Sequence, residues 1–347
     1  MVIGFAGLLA LLASTLTTMS TRSGPRPINP HATREARNLL AYIYSIDGKY
    51  TLSGEHNQMF HMSVVSEEIQ KITGKYPAIW GGEWGFSDER HDTDNIKYRP
   101  RLLDQIREQH KAGRIIVMTY HQASPTIGEP CDFRGGVQVK ITDADWDAIL
   151  KDGTPLNKVW AEHVDRLAVA LQTLRDEHIP IIFRPYHEMN GAWFWWGGKP
   201  NRFKALWSMI YNRFVYKFKL NNLLWAWTCD KPYEGVQAFF PGTKEVDMLG
   251  TDIYPVRGAK EVYPQEWYDR MLKLAAGKPL ALSEMSIVPS PELLEKQPYV
   301  WFMGWDSLMV RGNTPEKLKE AFDNPKVISD KADLGRRASS PAPPNHF

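Results

Sequence analysis

The sequence is poor in cysteine, has no excess of either charge and holds no apolar run long enough to cross a membrane. Cys131 and Cys229 are the two cysteines among 347 residues, too few for a disulfide framework or a four-cysteine metal site. Forty-two basic residues face forty acidic ones, for a net charge of +2. That balance offers no field to draw in a polyanion, which argues against a nucleic-acid partner. The N-terminal stretch Val2–Leu16 is apolar and uncharged, but a spanning helix needs about 20 residues. Small and hydroxyl residues and a Pro/Gly-rich run follow it, so residues 1–20 read as a secretory signal peptide. A buried N-terminal helix is the alternative. No G-x-G-x-x-G or phosphate-binding loop follows the first candidate strand, and no internal repeat is present.

Tryptophan is what the chain has in excess, with 13 residues. Each indole pairs a broad apolar face with one polar edge, which suits a heavy core or a surface for flat, amphipathic ligands. The charged fraction, 24%, matches a globular chain at about 25%. The length allows one large domain or two ordinary ones.

Short β-rich segments alternate with amphipathic helical ones. The expected strands are Tyr50–Gly54, Ala78–Trp84, Arg114–His121, Pro180–Glu188, Asn222–Asp230, Val246–Pro255, Pro279–Ser286 and Val300–Trp305. Continuous apolar runs such as Ile115-Ile116-Val117-Met118 suit strands buried on both faces, as in parallel sheets. Helices are expected from Thr154-Pro155, over Arg202–Lys219, over Tyr263–Ala276 and from Thr314-Pro315-Glu316. Eight strands alternating with helices predict an α/β fold, a (β/α)8 TIM barrel forming a single catalytic domain over residues 21–337. A doubly wound open sheet is the weaker reading. Residues 338–347 have the composition of a Pro-rich tail. The long Gln122–Lys158 connection is a candidate active-site insertion.

Catalytic residues of such barrels stand at the C-terminal ends of the strands. Those ends here carry Gly54-Glu55-His56, Glu83-Trp84, Tyr120-His121, His187-Glu188, Cys229-Asp230, Asp252-Ile253-Tyr254, Glu284 and Trp305. Glu188 and Glu284 each close a hydrophobic strand, where a carboxylate is costly unless paired or functional. Alternation places Arg184, Tyr186 and Glu188 on one face, and Leu280, Leu282 and Glu284 on the equivalent face of strand 7. Two carboxylates across a barrel mouth suit glycoside hydrolysis, one as proton donor and one as nucleophile. Arg184 either keeps Glu284 ionised or is a core ion-pair partner. His56, His61 and His91 lack metal-ligand spacing, so neither a metal nor another cofactor is expected.

The segment Phe183-Arg184-Pro185-Tyr186-His187-Glu188-Met189-Asn190-Gly191-Ala192-Trp193-Phe194-Trp195-Trp196-Gly197 closely resembles the strand 4 signature of glycoside hydrolase family 26, the β-mannanase family. Leu282-Ser283-Glu284 is similar to its nucleophile strand. Further similarity covers Pro77–Gly82, Thr119–Pro125, Trp225–Trp227, Asp252–Pro255 and Asn324–Ile328. The resemblance implies a retaining, endo-acting hydrolase of mannan, glucomannan or galactomannan, with Glu188 as acid/base and Glu284 as nucleophile. It implies sugar contacts for His121, His187, Trp193, Tyr254 and Trp305, with Arg184 beside them. His187 then has to turn inward through a bulge or early loop, against simple alternation. Two positions depart from the family's pattern: Asp306 stands where Arg is frequent, and Glu83 where Asp is common. Trp225 and Trp227 are expected in the packing, and at most one of Trp195 and Trp196 in the cleft.

Three other readings stay open. The same mechanism suits mixed-linkage glucan or xylan, an exo-acting mannobiohydrolase would need a blocking loop, and a silent carbohydrate-binding protein would need no acid pair. The expected partner is a β-mannan polysaccharide or its oligosaccharides, with no membrane partner, a monomeric state and a secreted or periplasmic location.

Overall fold

The structure, a computed structural model, describes residues 25–58, 61–85 and 95–330. The expected signal peptide and Pro-rich tail lie outside the described residues, as does His91. In chain order the elements are α1 (Arg34–Ile46), β1 (Thr51–His56), α2 (Val64–Thr73), β2 (Ile79–Glu83), α3 (Asn95–Lys111), β3 (Ile115–Tyr120), α4 (Asp143–Leu150), α5 (Pro155–Asp176), β4 (Ile181–Pro185) and α6 (Pro200–Asn212). There follow β5 (Leu223–Asp230), β6 (Met248–Ile253), α7 (Gln265–Ala275), β7 (Leu280–Met285), α8 (Pro291–Lys296), β8 (Trp301–Trp305), α9 (Leu308–Gly312), α10 (Pro315–Asp323) and β9 (Val327–Ile328).

Strands β1 to β8 pair in sequence order, all parallel, and β1 pairs with both β8 and β2, which closes the barrel. The short β9 pairs with the start of β1, at Thr51 and Leu52. Of the strand residues, only Trp305 falls short of full burial, so the near-continuous apolar runs follow from a sheet covered on both faces.

Alternation sorts the side chains into two layers. Leu52, Ile79, Val117, Ile182, Leu224, Met248, Ala281 and Met303 fill the barrel interior, and Leu40 and Ile43 of α1 join the same cluster. The helix thereby covers the N-terminal end of the barrel. The intervening residues, among them Trp80, Ile116, Phe183, Trp225, Leu249, Leu282 and Phe302, pack outward against the helices. Glycine at 54, 81 and 250 keeps the middle of the barrel narrow. A Cβ on Gly250 would lie 2.0 Å from Ser283 Oγ.

The helix starts follow their caps. Thr154 and Thr314 accept the backbone N–H groups of Asn157 and Lys317, and a proline opens each helix. The expected Arg202–Lys219 helix is α6 followed by a π-turn at Arg213–Lys217. The α7 helix ends with Ala276 left-handed at φ 50° and Gly277 next to it at φ 87°. The Gln122–Lys158 connection is partly ordered by a π-turn at Phe133–Val137 and by α4. Cys229 is a buried free thiol, so the two cysteines are not bridged to each other. Among the described residues no helix is long and apolar enough to cross a membrane.

Candidate active site

Continuing the inward alternation to the C-terminal rim places His56, Glu83, Thr119, Arg184, Asp252 and Trp305 around the mouth of the barrel. Two strands break the alternation. On β7 the register with β6 shifts so that Leu282 pairs with Thr251 while Glu284 pairs with Asp252. The extra residue, Ser283, turns Glu284 into the barrel, whereas Leu280 and Leu282 face the helices. The expected common face of Leu280, Leu282 and Glu284 is therefore corrected. On β4 the strand ends at Pro185, and Tyr186 and Glu188 take left-handed φ values of 51° and 54°. Tyr186 leaves the face of Arg184 and packs on the helix side. There its hydroxyl accepts from Trp160 Nε1 at 3.0 Å and donates to Gln122 Oε1. This is a second correction to the expected faces. The same turns bring His187 inward, as the resemblance requires.

Glu284 is the centre of a buried cluster. Its Oε1 accepts from Arg184 Nη2 at 3.1 Å and lies 3.4 Å from His187 Nε2. Its Oε2 accepts from the Tyr254 hydroxyl at 3.1 Å. Arg184 is wholly buried and also donates from Nη2 to both Asp252 oxygens, at 2.9 and 3.1 Å, from Nη1 to Ser283 O and from Nε to Thr228 Oγ1. One guanidinium thus faces two buried carboxyls, and burial holds His187 neutral, well below the usual imidazole range. The excess charge is relieved at Asp252, whose carboxyl is pushed well above the usual range by burial and by Glu284. Burial also raises Glu284, but Arg184 and the Tyr254 hydrogen bond oppose it and favour its ionised form. Both alternatives for Arg184 hold together, because it is a buried ion-pair partner and it supports the charge on Glu284.

His187, Asp252 and Glu284 bring ligand-capable atoms within 4.8 Å of one another, the one such group among the described residues. The cation that already occupies this cluster is the Arg184 guanidinium, whose Nη2 contacts both Asp252 oxygens and Glu284 Oε1. The donor set does not fit a resident metal.

Glu188 sits in a contrasting environment. Burial is the main cause that lifts its carboxyl to about 8, with Glu284 and Asp230 adding to it. The Trp193 indole donates to Oε2 at 2.8 Å and, with Lys231, works the other way. Glu188 therefore favours its protonated form at neutral pH, beside a carboxyl whose charge Arg184 and Tyr254 support.

The rest of the rim is aromatic and imidazole. Glu83 on β2 accepts from His121 Nδ1 at 2.6 Å and from the His121 backbone N–H at 2.9 Å. Burial opposes its charge, but His121 and Thr119 overcome that and hold Glu83 down at about 2. His121 meets His187 edge-on with ring centroids 4.3 Å apart, and Phe133 from the long connection lies 5.6 Å away. Trp305 stacks on His56 at 3.9 Å and 12°. Trp193 is exposed beside Glu188, while Trp195 and Trp196 are both buried, with their N–H groups on Gln122 O and His187 O. Trp225 and Trp227 pack in the outer core.

All the residues expected at the site, Glu188, Glu284, His121, His187, Trp193, Tyr254, Trp305 and Arg184, meet at this rim. Asp252, Glu83 and His56 belong with them and were left out of the expected set. Each closes a strand, as Glu284 does, so the same signal marks them. What hid their roles is that each acts through a partner on another strand.

The chain matches the sequence profile described as Glycosyl hydrolase family 26 over residues 28–331. It is 29% identical over 329 residues to a mannan endo-1,4-beta-mannosidase of Thermothelomyces thermophilus, an alignment covering 89% of this chain and 65% of that protein. A Bacillus subtilis protein of the same name is 29% identical over 276 residues, covering 75% and 73%. The chain thus spans about two thirds of the length of the Thermothelomyces relative, and 51% of a mannan endo-1,4-beta-mannosidase A from Piromyces sp.. Among solved structures, GH26A from a Muricauda species superposes with TM-score 0.81 at 38% identity, covering 87% of this chain and 98% of that one. A β-mannanase from a symbiotic protist of the termite Reticulitermes speratus, complexed with gluco-manno-oligosaccharide, gives 0.78 at 26% identity, covering 88% and 96%. Barrel, rim and profile agree, and the chain belongs to glycosyl hydrolase family 26.

Proposed function

We propose that this protein is a retaining, endo-acting hydrolase of β-1,4-mannans. The observation that carries the reading is the pair of rim carboxyls in contrasting surroundings: Glu188 lifted to about 8 by burial and acidic neighbours, and Glu284 held by hydrogen bonds from Arg184 and Tyr254. In the first step Glu284 Oε attacks the anomeric carbon while Glu188 gives its proton to the departing glycosidic oxygen. The C–O bond breaks and a covalent glycosyl-enzyme forms. Glu188, now a carboxylate, takes a proton from water, whose oxygen displaces Glu284 and restores both carboxyls. His187 and His121 offer polar contacts to the reacting sugar, and Trp193 and Trp305 offer flat faces for its neighbours. The substrate class comes from the relatives named mannan endo-1,4-beta-mannosidase and from the gluco-manno-oligosaccharide bound to the termite-protist enzyme. Export to meet a polymeric substrate accords with the apolar N-terminal stretch.

The test is product release from mannan, galactomannan, glucomannan, lichenan and xylan, with sizes resolved and early anomers followed by NMR. Mixed manno-oligosaccharides of retained β-configuration are expected. Release of a single disaccharide would replace the endo reading with an exo one, and early α-products would exclude the two-step route.

A further inference from the structure

The turn that carries Glu188 is built more firmly than a strand end requires. Glu188 has φ 54°, a region that side chains other than glycine and asparagine seldom adopt. Such strain persists only where the surroundings over-determine it. Here the Glu188 N–H donates to Thr228 O at 2.9 Å, and Gly191 N–H donates to Glu188 O at 2.9 Å. Asn190 then ties the turn to the end of β5 three times. Its Nδ2 donates to Asp230 O at 3.3 Å and to Lys231 O at 3.2 Å, and its Oδ1 accepts from Asp230 N–H at 2.8 Å.

Gly191 serves a different need. It has no left-handed φ to accommodate, yet a Cβ there would lie 2.3–2.4 Å from three atoms of the Trp193 ring. The indole therefore rests on bare backbone, and from that seat its Nε1 reaches Glu188 Oε2 at 2.8 Å. A carboxyl oxygen that accepts this bond leaves the acid proton to Oε1, so the contact fixes both the rotamer and the face that donates.

We propose that Asn190 and Gly191 are positioning residues for the Glu188 carboxyl. Asn190 fastens the turn to β5, and Gly191 is the seat from which Trp193 holds the acid toward the leaving oxygen. The proposal rests on the reading of Glu188 as acid/base. A misplacement of about 1 Å in such a group costs on the order of a hundredfold in rate. The cost falls on reactions that need the proton and spares those whose leaving group departs unaided.

The test compares Gly191→Ala and Asn190→Ser with wild type on mannopentaose and on a dinitrophenyl β-mannobioside. Glu188→Ala is run alongside. Gly191→Ala should keep its melting temperature, because what it displaces is the far end of an exposed side chain. It should lose about 10–100-fold in kcat on mannopentaose and little on the activated glycoside. Its basic pH limb should move upward, because the indole bond favours the carboxylate and is lost. The other groups facing Glu188 are Glu284 from β7, Asp230 from β5 with Lys231 just after it, and Asp252 from β6 with Tyr254 just after it. The three atoms nearest to a Cβ on Gly191 all belong to the Trp193 ring, so the limb reports on Trp193. In a Trp193→Phe background, Gly191→Ala should add little. Asn190→Ser should show the same split between substrates. Equal losses on both substrates, or full additivity with Trp193→Phe, would overturn the proposal. Equal losses for Glu188→Ala itself would instead sink the acid/base reading.

Discussion

The ends of β4 and β7 each present one glutamate to the same rim, and the protein treats them oppositely. Glu284 is buried on a regular strand with one bulge, accepts from Arg184 and Tyr254, and has His187 Nε2 3.4 Å away. Glu188 hangs on a left-handed turn beyond its strand, partly open, with one indole donor and two acidic neighbours, Glu284 and Asp230. The first arrangement stabilises a charge and the second keeps a proton. The chemistry of each carboxyl is set by what the neighbouring strands bring to it, since the side chains themselves are identical.

The largest effect that would sharpen this contrast is the loss of Glu284, the proposed nucleophile. Glu284→Ala should reduce turnover on every glycoside, activated or not, on the order of 10⁴-fold or more, measured as kcat on mannan and on aryl mannosides. Survival of the activated substrate alone would assign Glu284 the wrong role. Glu188→Ala should cost roughly 10²–10⁴-fold on mannan and much less on dinitrophenyl glycosides. A uniform loss would erase the difference between the two strand ends.

Arg184→Met addresses stability. It leaves Asp252 and Glu284 buried without their cation, and removing one partner of such a pair costs about 3–5 kcal/mol. Urea unfolding at pH 7 should show that loss, diminishing toward acid as Glu284 takes a proton. A melting curve unchanged from wild type would mean that the cluster is more hydrated than its burial indicates.

The basic limb of kcat/KM should fall near pH 8, where Glu188 gives up its proton. The sign for stability follows from linkage. The folded carboxyl is raised above its unfolded value near 4.5, so the native state holds the extra proton and stability falls as pH rises between the two values. Glu188→Gln should remove that component of the decline. Glu83 is the smallest and opposite case. Held at about 2, it stabilises the fold above its unfolded value near 4.5 and loses that contribution as pH falls through 2. Glu83→Gln should flatten the acid side of the melting profile and loosen His121. An unchanged acid limb would show that His121 and Thr119 do not hold the Glu83 carboxyl low.

Much of the barrel was legible because its signals are local. Buried parallel strands announce themselves as apolar runs such as 115–118, and Thr-Pro pairs at 154 and 314 mark helix starts through caps that the neighbouring backbone completes. The two glutamates were legible because a carboxylate closing an apolar strand is costly without a purpose. The faces of those strands were not. Alternation assumes an unbroken register, and a bulge at Ser283 and positive φ at Tyr186 and Glu188 reverse it where it matters most. Asp252 and Glu83 illustrate a second gap. Their purpose is to hold Arg184 and His121, which lie 68 and 38 residues away in the chain, and no local pattern encodes a pair.

By itself, the sequence determined the succession of strands and helices, the crossing of an apolar barrel by polar strand ends, and a strand 4 signature that resembles one family. These follow from period, capping and the cost of burying charge, which act over a few residues. The tertiary structure alone decided what surrounds each carboxyl, and so which one is pushed to keep a proton. That depends on closing the barrel, which brings β4, β5, β6 and β7 to one rim and sets a single guanidinium between two acids. Electrostatic energies in a buried site depend on distance and solvent exclusion, and a linear chain specifies neither until it has folded.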